Sequence, residues 1–192
     1  GSVSYLWYAD RIMEFPLGIF GISLATVILP VLSRQAANQD WEKLKETLLY
    51  GLRLTFFIAV PSAVGLMVLS YPIIQVIFQH GSFSSEATEA TALALVFFAI
   101  GLPFISGVRI LTNAFYSMQD AKTPVRIANL SVVVNLALSL LLMKSMAHCG
   151  LALAISLSAM FNFFTQLIIF SNKIQGFSVS QISFSVGKII LA

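Results

Sequence analysis

The sequence predicts an all-α integral membrane protein built as a polytopic helical bundle. Of its 192 residues, 58% are hydrophobic and only 10% are charged, against roughly 25% charged in an ordinary soluble domain. So little polar surface could not cover such a core in water. The apolar runs are about 20 residues long, which suits membrane-spanning helices, whereas a membrane barrel would show alternating segments of about 10 residues.

The charged residues and the cysteine narrow the class of protein further. The net charge of +3 comes from 11 Lys and Arg against 8 Asp and Glu. The basic residues stand singly between apolar runs, a pattern typical of membrane topology and not of nucleic-acid binding. The single cysteine, Cys149, allows no internal disulfide. Because the chain opens on Gly1 without an initiator methionine and stops within an apolar run at Ala192, we expect a single transmembrane domain that is a fragment of a longer protein.

This domain is expected to cross the membrane several times. The first segment would be about 46 Å long as a helix, more than a hydrocarbon core of about 30 Å, so a kink or break is expected at Pro16. A short surface helix is predicted at 34–47, an interfacial turn at 71–84, and a bend at Gly101 and Pro103. The predicted spans are about 3–33, 48–70, 85–118, 125–143 and 150–170, the last two joined by a turn at 144–149, and another span starts at 181–192.

Loop charges orient these spans. One side collects eight basic residues and the other side only Lys144, so the positive-inside rule places the first side in the cytoplasm. The first span then enters from outside, with its charged residues in its outer half. The eight are Arg34, Lys43, Lys45, Arg53, Lys122, Arg126, Lys173 and Lys188.

The candidate functional site is a charged cluster in the first span, formed by Asp10, Arg11 and Glu14. In a helix, Asp10 and Glu14 are i,i+4 neighbours, and Arg11 and Glu14 are i,i+3 neighbours. Ionisable residues inside a membrane helix are costly and mark functional sites. Arg11 would be a fixed cation for an anionic group such as a phosphate, with the acids holding its rotamer or balancing its charge. Alternatively, Arg11 and Glu14 only neutralise one another near the outer interface.

Three further polar residues lie within the spans. Arg109 either snorkels to the cytoplasmic surface or faces a cavity. Asn135 and Ser139 either hold helices together or contribute to an ion or substrate site. His80 and His148 lack metal-ligand spacing. The sequence contains no phosphate loop, dinucleotide fingerprint, nucleophile elbow or zinc motif, so we do not expect an enzyme.

Several motifs resemble the MurJ (MviN) family of bacterial lipid II flippases. The first motif runs from Tyr8 through the charged cluster to Gly18 (YADRIMEFPLG) and continues in 26–33 (TVILPVLS). The last is FYSMQDAKTPV at 115–125, and between them lie GLRL at 51–54 and FQHGSF at 78–83. The similarity extends over about residues 1–170.

This resemblance implies a fold and a function. It implies the second lobe of a MATE-like transporter of the MOP superfamily, whose two lobes enclose a central cavity. Such proteins serve peptidoglycan biosynthesis by moving lipid II, an undecaprenyl-pyrophosphate-linked precursor, across the bacterial inner membrane by alternating access. The implied partners are this precursor, membrane lipids and the N-terminal lobe, and no nucleic acid.

The resemblance also implies roles for single residues. The arginine at the position of Arg11 belongs to a set of cavity arginines required for function, and the others lie in the first lobe, so this chain alone should not transport. At Arg109 the family often has lysine. Some relatives carry a sodium site whose ligands would fall near Asn135 and Ser139, but the acidic ligand of such sites is missing at Ser139. We therefore expect no metal and no cofactor, with sodium or the membrane potential as candidate driving forces.

Two alternatives compete with a flippase. The first is a cation-coupled exporter of small molecules on the same architecture, which would be favoured by a second-lobe acid for coupling, and no mid-span acid follows Glu14. The second is a non-transporting membrane scaffold or an embedded transferase. An enzyme should present paired acids or a metal cluster at a membrane face, and only Asp10 and Glu14 come close.

Overall fold

The regular structure consists of helices joined by short turns. The computed structural model describes residues 2–80 and 83–174, and within them all regular elements are helical. In chain order these are α1 (Ser2–Pro16), a π-helical segment (Leu17–Ile22), α2 (Ser23–Ala37), α3 (Trp41–Val68), α4 (Ser70–Phe78), α5 (Ser85–Ser117) and α6 (Lys122–Lys173).

Membrane crossing follows from helix length and composition. The helices α3, α5 and α6 are each long and apolar enough to cross a membrane, and α1 with α2 forms a bent pair that can serve as one more span. The two parts of this pair, Ser4–Ile19 and Ser23–Ala37, meet at 41°. The π-helical segment follows Pro16 directly, at the position where the sequence predicts a break, because proline has no N–H to bond the preceding turn.

The long helix α6 is two helical arms and not one rod. Ala147 has φ 49° and ψ −125°, outside the helical region. A Cβ placed on Gly150 would lie 2.5 Å from the carbonyl oxygen of Leu142, although residues eight apart in a continuous helix are about 12 Å apart along the axis. The chain therefore folds back inside the segment predicted as a turn, 144–149, and gives a first arm (122–146) and a second arm (148–173).

The helix α5 lies at the centre of the bundle. It contacts all the other helices and the π-helical segment, and 61% of its most apolar stretch is buried, against 11% for α6. Contacts with the second arm keep the same order along both helices, Ala90 with His148, Phe97 with Ser156 and Thr112 with Gln166, so the two run parallel. The first arm, by contrast, leaves most of its apolar surface uncovered.

Two hydrophobic clusters fill the bundle. The cluster of the predicted cytoplasmic half includes Leu32, Leu44, Leu48, Phe56, Phe115, Phe163 and Phe170. The cluster of the predicted outer half includes Ala9, Met13, Ile74, Leu95, Phe98 and Ala152. Ala9 and Met13 of α1, and Leu17 at the start of the π-helical segment, are buried. The opposite face of α1 therefore points away from the bundle.

Two predicted local structures are wrong. The segment 34–47 is not a separate surface helix, since α2 continues to Ala37 and α3 begins at Trp41. Between them Gln39 has a positive φ, and Asp40 caps α3 by accepting the backbone N–H of Lys43. The residues 71–84 are not simply a turn, because α4 occupies Ser70–Phe78 and buries Ile74.

Two other predicted features differ in the structure. The bend predicted at Gly101 and Pro103 does not interrupt α5, which is helical from Ser85 to Ser117. Helix α6 continues to Lys173, into the loop predicted after 170. The predicted start of another span, 181–192, lies outside the described residues.

The turn between α5 and α6 is closed by Asp120. Its carboxylate accepts hydrogen bonds from Lys173 Nζ at 2.5 Å, Thr123 Oγ1 at 2.6 Å and the Thr123 backbone N–H at 3.1 Å. The bonds from Lys173 and Thr123 lower the pKa of Asp120 from its ordinary 3.8 to about 2. This carboxylate ties the end of the second arm to the start of the first.

We expect the contribution of Asp120 to stability to depend on pH. Because its pKa is lower in the folded protein, the contribution is fully present above about pH 4 and is lost as the pH falls through about 2. Asp120→Asn should cost about 1–3 kcal/mol at pH 7, the usual value of charge-assisted hydrogen bonds, and should remove this pH dependence. Thermal unfolding of the purified full-length protein between pH 7 and pH 2 measures both, and an equal pH response in the variant would contradict the assignment.

Candidate functional site

The charged cluster lies on the face of α1 that points away from the bundle. Trp7, Arg11 and Glu14 are exposed and follow one another at helical spacing, while Ala9 and Met13 on the opposite face are buried in the core. This arrangement follows from the sequence, since apolar side chains of α1 pack on α5 and charged ones remain outside. Arg11 is therefore presented to whatever lies beside this lobe.

Arg11 is held by two neighbours one turn away. Its Nη1 lies 2.8 Å from Glu14 Oε2, and the two side chains are 55% and 49% exposed. Its guanidinium carbon lies 5.1 Å from the ring centroid of Trp7, within the range of a cation–π contact. An exposed ion pair of this kind is worth only about 0–1 kcal/mol, so an incoming anion can take the place of Glu14 at small cost.

Asp10 lies beside this pair and is only partly exposed. With Glu14 it gives the cluster two carboxyl groups to one guanidinium. A diphosphate would not bind tightly to such a cluster by itself, because like charges would face it.

The cluster sits just before the break in its helix. Pro16 begins the break, the π-helical segment continues it, and Gly21 packs against Ser106 of α5. π-Helical segments and proline kinks occur frequently at functional sites and hinges. A change of angle at this break would move Arg11 relative to α2, which continues toward the predicted cytoplasmic side.

Arg109 occupies a different place from Arg11. It is partly buried and lines an open groove of about 540 Å³ between α2 and α5, together with Thr26, Pro30 and Thr112. At the edge of this groove Asn113 donates a hydrogen bond of 2.7 Å to the carbonyl of Ala25. In the part of the chain that the structure describes, Arg109 forms no ion pair. Its role in substrate binding stays a prediction.

The two sodium candidates lie on the first arm of α6. Asn135 and Ser139 are both partly buried, and the Oδ1 atom of Asn135 is buried without a hydrogen-bond donor from the described residues. Within the described ranges, no group of three or more His, Cys, Asp or Glu residues forms a metal-binding cluster. A role of Asn135 and Ser139 in sodium binding stays a prediction. His148 instead lies 3.1 Å from the carbonyl of Ala90.

Three contacts of the site were not predicted from the sequence. The contact of Trp7 with Arg11 is one of them, although the position of Trp7 four residues before Arg11 could have indicated it. The hydroxyl group of Ser106 in α5 lies next to the break, and no local sequence pattern predicts this contact because the two segments are far apart in the chain. Asn113 likewise bonds α2 from a distant position.

A multi-pass helical lobe that presents a charged cluster beside a broken helix has the features of one lobe of a membrane transporter. The family model described as lipid II flippase MurJ matches residues 1–192. The chain belongs to this family.

Individual relatives agree with this assignment. The chain is 40% identical over 162 residues to a probable lipid II flippase MurJ of Vibrio cholerae, covering 84% of this chain and 31% of that protein. It is 38% identical over 162 residues to the lipid II flippase MurJ of Burkholderia cenocepacia, with the same coverage. The chain thus spans about a third of the length of the curated relatives it matches.

A solved structure gives the same result for the fold. The structure of a lipid II flippase MurJ in an inward closed conformation superposes with a TM-score of 0.84 at 30% identity, covering all of this chain and 40% of the other. The predicted fold class, an all-α polytopic membrane protein of the MATE-like type, is confirmed. These matches favour the flippase over the small-molecule exporter.

Proposed function

We propose that the protein to which this chain contributes flips lipid II, the undecaprenyl-pyrophosphate-linked peptidoglycan precursor, across the bacterial inner membrane by alternating access. Membership of the lipid II flippase MurJ family supports this proposal. The observation that carries it is the placement of Arg11 on the open face of α1, next to the break. There its guanidinium is available to a diphosphate.

Binding would exchange one partner of Arg11 for another. In the free protein Glu14 neutralises the guanidinium through a bond of 2.8 Å. A phosphate group offers the same paired oxygen geometry with more charge, and guanidinium groups bind it bidentately. After release of the headgroup, Glu14 would take back its place, so the cation is never left without a counter-ion. Because the cluster holds two acids, cations of the other lobe would contribute the remaining charge.

Transport would use the break after Pro16. Alternating access requires two packings of similar energy, and the headgroup biases one of them by binding it better. The helix pair is already bent by 41°, so a further change of angle needs no new break. The lipid tails can remain in the bilayer beside the uncovered apolar faces, and sodium or the membrane potential would supply direction.

Complementation tests this function. The full-length parent protein, expressed in a bacterium depleted of its own flippase, should restore growth and raise the amount of lipid II that an enzyme added outside spheroplasts can reach. Immunoblots of the membrane fraction control for expression. A well-expressed wild type that restores neither growth nor outer-leaflet lipid II would contradict the proposal and would favour an exporter.

A further inference from the structure

The break between α1 and α2 borders a small cavity. Its volume is about 10 Å³, which is about the space that one water molecule requires. Pro16 and Gly21 line it from the broken helix, and residues of α3 and α5 close the other sides. Three hydroxyl groups are among the lining residues, those of Thr55, Ser62 and Ser106.

The hydroxyl group of Ser106 needs a partner. Its residue is only 3% exposed, and it makes no hydrogen bond with any residue that the structure describes. Thr55 and Ser62 instead donate to their own helix, to the carbonyls of Gly51 at 2.7 Å and Ile58 at 2.8 Å. Their protons are used, but their lone pairs can still accept. Ser106 can donate a hydrogen bond into the cavity and the other two hydroxyl groups can accept one there, so a ligand with both donors and acceptors fits here.

The backbone at the break also needs a hydrogen-bond partner. Pro16 supplies no N–H to the turn before it, and the change from α-helical to π-helical bonding displaces the bonds that follow. Inserted water is a common cause and partner of such breaks. Because Thr55 and Ser62 are about 10 Å apart along α3, one molecule at Ser106 can reach only one of them, and the backbone supplies the remaining partners.

We propose that a single buried water molecule occupies this cavity, accepts a hydrogen bond from the hydroxyl group of Ser106, and donates to a neighbouring hydroxyl group and to the backbone of the broken helix. It solvates the break without opening the bundle to the membrane. This inference does not depend on lipid II being the substrate, because it concerns only the small cavity beside the π-helical segment.

Two glycine variants separate the cavity from the helix around it. A Cβ on Gly21 would lie 3.3 Å from Leu17 Cδ1 and 3.4 Å from Ser106 Oγ, so Gly21→Ala fills the cavity with only small shifts. A Cβ on Gly18, in the same π-helical segment, meets nothing within 4 Å. Gly18→Ala therefore makes the same change of helix propensity and leaves the cavity as it is. Ser106→Ala removes the donor and is a second test if Gly21→Ala does not fold.

Radiolytic labelling detects the water. X-ray pulses on the full-length protein in lipid nanodiscs with ¹⁸O-labelled water produce hydroxyl radicals from bound water, and these oxidise adjacent side chains. Leu102 lines the cavity and is 1% exposed, and Leu95, which is 0% exposed, serves as the dry reference. We expect label on Leu102 in the wild type and in Gly18→Ala, and its loss in Gly21→Ala and Ser106→Ala. Leu102 unlabelled like Leu95 in the wild type, or labelled equally in all variants, would overturn the inference.

Discussion

Replacing Arg11 with alanine in the full-length protein is expected to abolish rescue of a flippase-depleted bacterium while membrane expression stays at the wild-type level. Expression should hold because the side chain is 55% exposed and its pair with Glu14 is local, so the free energy of folding changes by about 1 kcal/mol or less. Function should fail because Glu14 and Asp10 would then present only negative charge to the diphosphate, and the site would repel its ligand.

Two further variants show what Arg11 contributes. Arg11→Lys keeps the positive charge but loses the planar guanidinium group. Partial rescue would indicate that positive charge alone supports function, and no rescue would indicate that bidentate geometry is required. Arg34→Ala is the matched control, because Arg34 is also exposed but lies in the last turn of α2, and it should rescue fully. Full rescue by Arg11→Ala would make this arginine an interfacial charge and would remove it from the site.

Replacing Gly101 with alanine is expected to destabilise the lobe by about 1–3 kcal/mol, the usual cost of overpacking a close contact. The added Cβ would lie 2.7 Å from Ser156 Oγ and 3.0 Å from Ser156 Cα. Since Cα belongs to the backbone of the second arm, no change of rotamer relieves the contact, and α5 and α6 must separate. The hydrogen bond of 2.6 Å from Ser156 to the carbonyl of Phe97 would weaken as well.

Gly65→Ala is the control for this variant. A Cβ on Gly65 in α3 meets nothing within 4 Å, so the same substitution in another membrane-length helix should leave stability unchanged or raise it slightly. Thermal unfolding of the purified full-length proteins in one detergent compares them. If Gly101→Ala and Gly65→Ala unfold at the same temperature as the wild type, the close packing of α5 on the second arm is not as the structure has it.

The charged cluster shows how far local sequence predicts a site. The i,i+3 spacing of Arg11 and Glu14 predicts their ion pair, and the structure contains it, because both residues lie on one turn of one helix. Arg109, Asn135 and Ser139 were candidates because they are polar residues within predicted spans and because of the family resemblance. Their surroundings depend on which helices lie beside them, and local sequence does not determine that.

Residue types and short spacings were enough to predict the class of the protein, the break after Pro16 and the motifs of its family. Each depends on residue type or on short spacing. The membrane class follows from the large number of apolar residues, and the break follows from the absence of a backbone N–H in proline. Three features became known from the three-dimensional contacts: α4 is a helix, α6 reverses at Ala147, and Ser106 faces the π-helical segment. These features depend on contacts between residues far apart in the chain, where packing overrides local preference.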